Sequence, residues 1–585
     1  MKALKSFVSG LLLSAVFLLP TTLRAAEVQP FFTFKTSSIN SLVGIAQKIG
    51  TMAGFADSGE FQQVISMIKG IKGFNFNGNF GFAAVVDENE DIYMLLMLPV
   101  SDLANADIPA EPTIFDQIRP FLTPKAGGRT DINSPLGTFV ALQKQGYLVI
   151  VPEDIVDQIP ADARTLFADL EKYTIGMKLD LEKIKFETLE GQIFGWVLMF
   201  LMMQDPDMGK QAEEMVEVFR EAYKEIAVMT GGYAFDLQTA DLELSNTVVV
   251  RKSSEMGKSL AGHKQQPTIF SGFRGTPDSV VCAFGNSESM PPLSRNALTE
   301  LNMKQYDALF DGILVQIEME DESGEAVKIA KDVIDTIKKI SDKESKRGSG
   351  DFALSLSTDG TLLAAADTVS ITEIQKLAAL AAAFANEKLP AGGKALIEKS
   401  LKKEYAVVEG FKVSSLHLPI IETIEAIIGH EAPDDSLNDL KLGIFWATKE
   451  AGGKQAIAVA AGLDFAKAEA AFKSALEKTK TPIPAQKPLG IFSVPGLGKF
   501  LQQTVLPIAA KTEPPEDQFA VVKQMFNTLA KASNEATVTM DTGVKGDRIE
   551  SNFRISGKVI ETLITVIKIG IEQSSGNFGP GFGNF

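Results

Sequence analysis

The sequence predicts an α+β fold: tandem repeated ββα units forming antiparallel meander sheets covered by helices, in two related halves. Three observations point there. Pairs of short apolar stretches recur along the chain with alternating or continuous apolar residues. The turns between them carry residues that tolerate left-handed backbone, such as Asp359-Gly360 and Gly452-Gly453. Most pairs then run into a segment of helical period.

Taken in order, the hairpins begin at Asn79 (NFGFAAVV, DENED, IYMLLMLP), Gly137 (GTFVALQKQGYLVIV) and Gly231 (GGYAFDLQTADLELSNTVVVRK). Four more begin at Asp351 (DFALSLSTDGTLLAAADTV), Glu404 (EYAVVEGFKVSSLHLP), Lys441 and Glu535. Helix starts follow several of them: Ser370 with Glu373 reads as a capping box, and Pro152 and Pro419 suit a first helical turn. Before the Gly231 hairpin, Met215, Val218, Phe219, Ala222, Ile226 and Met229 share one face of an amphipathic helix. Phe519, Val522, Met525, Phe526 and Leu529 do the same before the Glu535 hairpin. Both hairpins end in a basic residue and a Gly-Lys joint, Gly257-Lys258 and Gly557-Lys558. The halves are therefore placed at residues 26–265 and 266–572, after a signal segment 1–25 and before a Gly- and Phe-rich flexible tail 573–585.

The N-terminus has the three parts of a secretory signal: Lys2 and Lys5, the apolar run Phe7 to Leu19, and a small-residue exit from Pro20 to Ala26. Leu23 is acceptable before a cut at Ala25, whereas Arg24 fits poorly before one at Ala26. The expectation is export, to the periplasm or the extracellular space. Of 57 basic and 74 acidic residues, removal of Lys2, Lys5 and Arg24 leaves 54 and 74, a formal charge of −20. Such a surface repels nucleic acid and anionic headgroups. The single cysteine, Cys282, sits in the strand-like run SVVCAFG and reads as an inert buried thiol, so no intramolecular disulfide can form.

Catalytic signatures are thin. The three histidines, His263, His417 and His430, lie in no metal-ligand spacing, and no GxSxG turn offers a serine nucleophile. GKS at Gly257 to Ser259 lacks the glycine that a phosphate loop needs five residues earlier, where Lys252 stands. The acidic stretches at Asp87 to Asp91, Met319 to Glu325 and Glu431 to Asp439 lack the spacing of a calcium-binding hand loop, and they read as solvated turns. No metal and no cofactor is expected.

The stretch GWVLMFLMMQDPDM stands apart. Its apolar run, Ile193 to Met203, is about half of what a spanning helix needs, so no transmembrane span is expected in the mature chain. A helix apolar on every side must be covered, and the plain reading is a core helix. The sharper reading makes Phe194, Trp196, Met199, Met202 and Met203 contacts for an apolar ligand, because thioethers adapt to variable apolar partners.

The phrases YTIGMKLDLEKI, GGYAFDLQTADLELSNTVVVRKSSEMGKSLAG, DFALSLSTDG and YAVVEGFKVSSLHLPI, with the signal peptide, resemble large secreted proteins of unknown function in planctomycete-type bacteria. The resemblance implies export and a repetitive α+β fold, and it carries over no functional residue. The expected function is that of an exported, non-catalytic binding or scaffold protein of the bacterial cell envelope, with an apolar ligand cavity between sheet and helices. Its expected partner is an envelope protein, an apolar small molecule or a lipid. A secreted hydrolase working through carboxylates is the alternative.

Overall fold

The computed structural model describes residues 29–575 except 71–74, 88, 101–121, 125–128, 135–136, 145, 161, 192–207, 262–266, 277, 287–309, 311–313, 315–323, 348–349, 389–397, 420–440, 452–453, 485–488 and 512–515. The chain divides into two compact units, residues 1–254 with 547–554, and residues 255–546 with 555–585. Both mix helices with an antiparallel sheet, so the α+β class holds.

The first unit contains β1 (Gln29–Thr36), α1 (Ile39–Ala53), α2 (Gly59–Lys69), β2 (Phe80–Val86), β3 (Ile92–Pro99), β4 (Leu122–Pro124) and β5 (Arg129–Ser134). It continues with β6 (Gly137–Lys144), β7 (Tyr147–Pro152), β8 (Ile175–Asp180), α3 (Met208–Glu225), β9 (Ile226–Phe235) and β10 (Leu242–Val250). Antiparallel pairing gives the strand order β4-β5-β6-β7-β3-β2-β1-β8-β9-β10. One sheet face carries Ala83, Val85, Tyr93, Leu95, Val140, Val149 and Val151, sealed by Ile155, Val156, Ile159 and Phe167 from two 3-10 helices, Glu153–Gln158 and Ala163–Leu170. On the other face Phe219 and Tyr223 of α3 pack with Leu181, Ile184 and Leu189 over Ala84 and Ile92, which among the described residues covers one end.

The second unit contains α4 (Glu255–Ala261), β11 (Val281–Asn286), α5 (Glu325–Arg347), β12 (Asp351–Leu356), β13 (Leu362–Thr368), α6 (Ile371–Lys388) and β14 (Leu401–Val408). Then come β15 (Phe411–Pro419), β16 (Lys441–Ala451), β17 (Lys454–Gly462), α7 (Phe465–Glu477), β18 (Leu489–Ser493), α8 (Val494–Phe500), α9 (Glu516–Ala530), β19 (Thr537–Lys545) and α10 (Gly557–Ser575), whereas β20 (Arg548–Ile555), all but its last residue, belongs to the first unit. Its order is β14-β15-β16-β17-β13-β12-β11-β18-β19. Counted from β11 instead of β1, these nine strands follow the order of the first unit. Small side chains decide how the helix layer sits. Ala353, Ala365, Ala456, Ala458 and Ala460 line the sheet, and Phe472 of α7 meets Phe273 edge-on with ring centroids 6.2 Å apart.

Six stretches read as hairpins pair as antiparallel neighbours, and the seventh supplies β19 and β20. Gly360 takes φ +82° in its turn, a conformation that side chains disfavour. Three local expectations change. The helix before β9 ends at Glu225, so Ile226 and Met229 belong to the strand. Ser370 Oγ makes no hydrogen bond, and Glu373 accepts instead from Lys343 at 2.6 Å, so the capping box is not formed. Pro152 ends β7 ahead of a 3-10 helix, and Pro419 ends β15.

Candidate functional site

Phe194, Trp196, Met199, Met202 and Met203 lie outside the described residues, as do His263, His430, the tail from residue 576 and the signal segment. The remaining sequence candidates are structural. His417 stacks on Phe465 at 4.3 Å between centroids, and burial, with Lys441 and Lys402 nearby, lowers its proton affinity. The Cys282 thiol is buried and pushed up by that burial. Gly257 to Ser259 lies inside α4, not in a loop. Asp87 Oδ1 accepts the N–H groups of Asn89 and Asp91 at 2.9 Å each, a self-satisfied turn. Among the described residues no cluster of His, Cys, Asp and Glu could hold a metal ion. No described helix is long and apolar enough to cross a membrane.

The distinctive feature is a stretch of sheet in the first unit, across β2, β1, β8, β9 and β10. Register builds three rows on one face. The first is Phe80, Thr36, Ile175, Tyr233 and Leu244; the second is Phe82, Phe34, Met177, Gly231 and Asn246; the third is Ala84, Phe32, Leu179, Met229 and Val248. None of these residues is charged. Yet Phe34, Ile175, Met177, Met229 and Tyr233 are 37 to 54% exposed. The opposite face is closed: on β1 and β10 it carries polar groups, Lys35 3% exposed, Thr33 4% and Ser245 8%, and on β2 it joins the apolar core through Ala83 and Val85.

Lys35 shows how that inversion is held. It sits between Gly81 and Gly176, with Gly232 next in the row. The Phe167 ring lies where a Cβ on Gly81 would be, and the Tyr173 ring where Cβ atoms on Gly176 and Gly232 would be. The two rings bracket the lysine stem, and Nζ donates to the carbonyls of Leu170 (3.1 Å), Glu171 (3.3 Å) and Tyr173 (3.4 Å). Burial lowers the lysine's proton affinity, opposed by Glu171. The Tyr173 hydroxyl accepts from Ser245 Oγ at 3.3 Å. Lys178, on the same face, is anchored to Asp169 at 2.7 Å. Lys35, Lys178 and Ser245 thus each have a partner on the inner side, while Phe34, Met177 and Tyr233 face out.

In the second unit, Phe352 and Met540 are likewise exposed, on a face shared with Leu354, Ala283 and Gly490. A carboxylate pair lies across β12 and β13 there. Asp351, 8% exposed, donates its backbone N–H to Asp367 Oδ1 at 2.5 Å, while its own Oδ2 accepts from the Ile269 N–H at 3.2 Å. Burial raises its pKa to about 6, against hydrogen bonds from Thr268 and Ile269. These bonds tie the strand start to the segment before β11, while Asp351 Oδ1 is buried without a hydrogen-bond partner.

Sequence reasoning missed the open face, because its rows join residues more than 140 positions apart, such as Phe34 and Met177. No family model, no curated protein and no solved structure matches the chain.

Proposed function

We propose that the protein is an exported, non-catalytic binding or scaffold protein of the bacterial cell envelope, built as two related halves. We propose further that it holds an apolar partner, a lipid, an apolar small molecule or an envelope protein, on the open sheet face of its first unit. The observation that carries the reading is the inverted polarity of that sheet, with Lys35 closed in and Met177 54% exposed on neighbouring strands. Exposing a contiguous apolar face costs about 25 cal/mol per Å² relative to covering it. A large patch of this kind marks an interaction surface. The absence of charge on the three rows suits hydrocarbon better than a headgroup or a polyanion.

The two-halves reading rests on the shared strand order and on a shared joint. Leu181 N–H donates to Ala227 O at 2.8 Å where β8 ends, and Val494 N–H donates to Ala536 O at 3.0 Å where β18 ends. In both places the helix that follows, α3 or α9, leads into the next strand.

The test is native mass spectrometry of the chain from Ala26 onward, purified from its own envelope and then extracted with solvent. A stoichiometric adduct, lost in Met177→Glu/Tyr233→Glu while the circular dichroism melt is kept, supports the reading. An adduct that survives both substitutions, or a bare chain that neither retains lipid nor captures an envelope protein through this face, overturns it.

A further inference from the structure

α10 carries a second apolar surface, independent of the first unit's sheet. One side of the helix is held down: Val559 is 3% exposed and Ile569 8%, and Gly570 lies 3.0 Å from the Met525 side chain of α9, measured from an ideal Cβ. Another side faces out, with Leu563 47%, Ile567 59% and Ile571 60% exposed. Ile560, Ile564, Ile567 and Ile571 are spaced 4, 3 and 4 residues apart. That is the d-a-d-a spacing of a coiled-coil seam, and every member is β-branched. Ile560 and Ile564 are half-buried, and Ile567 and Ile571 are the exposed members of the row.

We propose that α10 is a self-association element, on which the α10 of a second copy of this chain packs in antiparallel orientation. Charge selects the occupant and its direction. Beside the seam, Glu561 and Lys568 occupy the two e positions. In an antiparallel pair, Ile560 layers against Ile571 of the second copy and Ile564 against Ile567 of the second copy. The e positions then meet each other, so that Glu561 faces Lys568 of the second copy, twice by symmetry. A parallel pair would set Lys568 against Leu563 and Glu561 against Ser556, and neither charge would gain an opposite one. Lys558 already holds Glu561 Oε2 at 2.8 Å within the same helix. Two heptads are too few to form a helix pair unaided, but this helix is already ordered by its buried side, so association does not carry the cost of folding it.

The experiment is sedimentation equilibrium on the chain from Ala26 onward, over a concentration series, with thermal melts to confirm folding. The wild type is expected to be a dimer at micromolar concentration, and Ile567→Glu/Ile571→Glu, at positions already exposed, a folded monomer. Glu561→Lys alone and Lys568→Glu alone each set like charges across the seam and weaken the dimer about tenfold or more. Mixing these two variants restores complementarity at both contacts, and is expected to give a heterodimer close to wild-type strength. A wild type that stays monomeric at 100 times that concentration, or a dimer indifferent to the isoleucine substitutions, overturns the proposal. So does a mixture no stronger than its components. None of these substitutions touches the first unit's sheet, so this result and the partner test above fail separately.

Discussion

At the residue scale, two buried charged groups do opposite things with pH. Lys35 is closed in beneath two rings and donates to three carbonyls, of which that of Leu170 also accepts the Tyr173 N–H at 3.1 Å. Lys35→Met keeps the stem and removes the donor, and is expected to lower stability by about 1–3 kcal/mol in urea denaturation at pH 7. A loss no larger than that of an exposed lysine substitution would mean the carbonyls are satisfied by water. Asp351 is the other case. Burial lifts it to about 6, so the folded chain keeps a proton that the unfolded chain, titrating near 3.9, has released. Between those values the unfolded state binds fewer protons, so this group's contribution to stability falls as pH rises through that window. Other carboxylates, such as Glu373 held low by Lys343, run the opposite way, so the difference between variants is the readout. From pH 4.5 to 7 the wild type should lose about 1–3 kcal/mol relative to Asp351→Asn. Parallel pH profiles for the two proteins would show that Asp351 titrates as an ordinary surface carboxylate.

At the element scale, close approach of backbones makes the sharpest prediction. α8 lies on the end of α9 at Gly498, where a Cβ would stand 2.0 Å from Ala530 N and 2.4 Å from Leu529 C. These are backbone atoms and cannot swing aside, so Gly498→Ala should cost about 3 kcal/mol by forcing the helices apart. Gly59, at the start of α2, has nothing within 4 Å of its Cβ position. Gly59→Ala should be neutral or stabilising by about 0.5–1 kcal/mol. Equal melting temperatures for the two variants would contradict this packing. Elements are also where the sequence was most legible. Hairpins showed themselves through alternation and turn residues, because both signals are local. The α3 boundary did not, since Ile226 and Met229 continue the helical spacing of Phe219 and Ala222 after the chain has become a strand. Alternation puts Tyr233 and Leu237 on one face of β9 and the turn after it, but it is silent on whether that face is buried. They prove 49 and 44% exposed. The site rows stayed hidden for the same reason: which face is covered depends on Tyr173 and Phe167, distant in sequence from most of the strands they close.

At the scale of the whole molecule, the two units own separate cores. The first unit's buried clusters run from Phe31 to Phe167 and on to Leu189, and the second's lie around Phe270, Phe445 and Phe472 and around Val494 and Val559. Unfolding is therefore expected to depart from two-state behaviour and to show two components in calorimetry. One substitution in each unit assigns them. Gly232→Ala would place a Cβ 2.3 Å from Ile175 O and 2.8 Å from the Tyr173 ring, and it should lower only the first unit's component. Gly498→Ala should lower only the other. A cost of about 3 kcal/mol in a unit of this size moves its midpoint on the order of 5–10 °C. Residues 547–554 return to the first unit from late in the chain, which adds to the link at 254–255 a covalent reason to expect coupling. If both variants shift a single common transition by the same amount, that returning strand makes the molecule one cooperative body, and the open sheet face would then be stabilised by cores it does not touch.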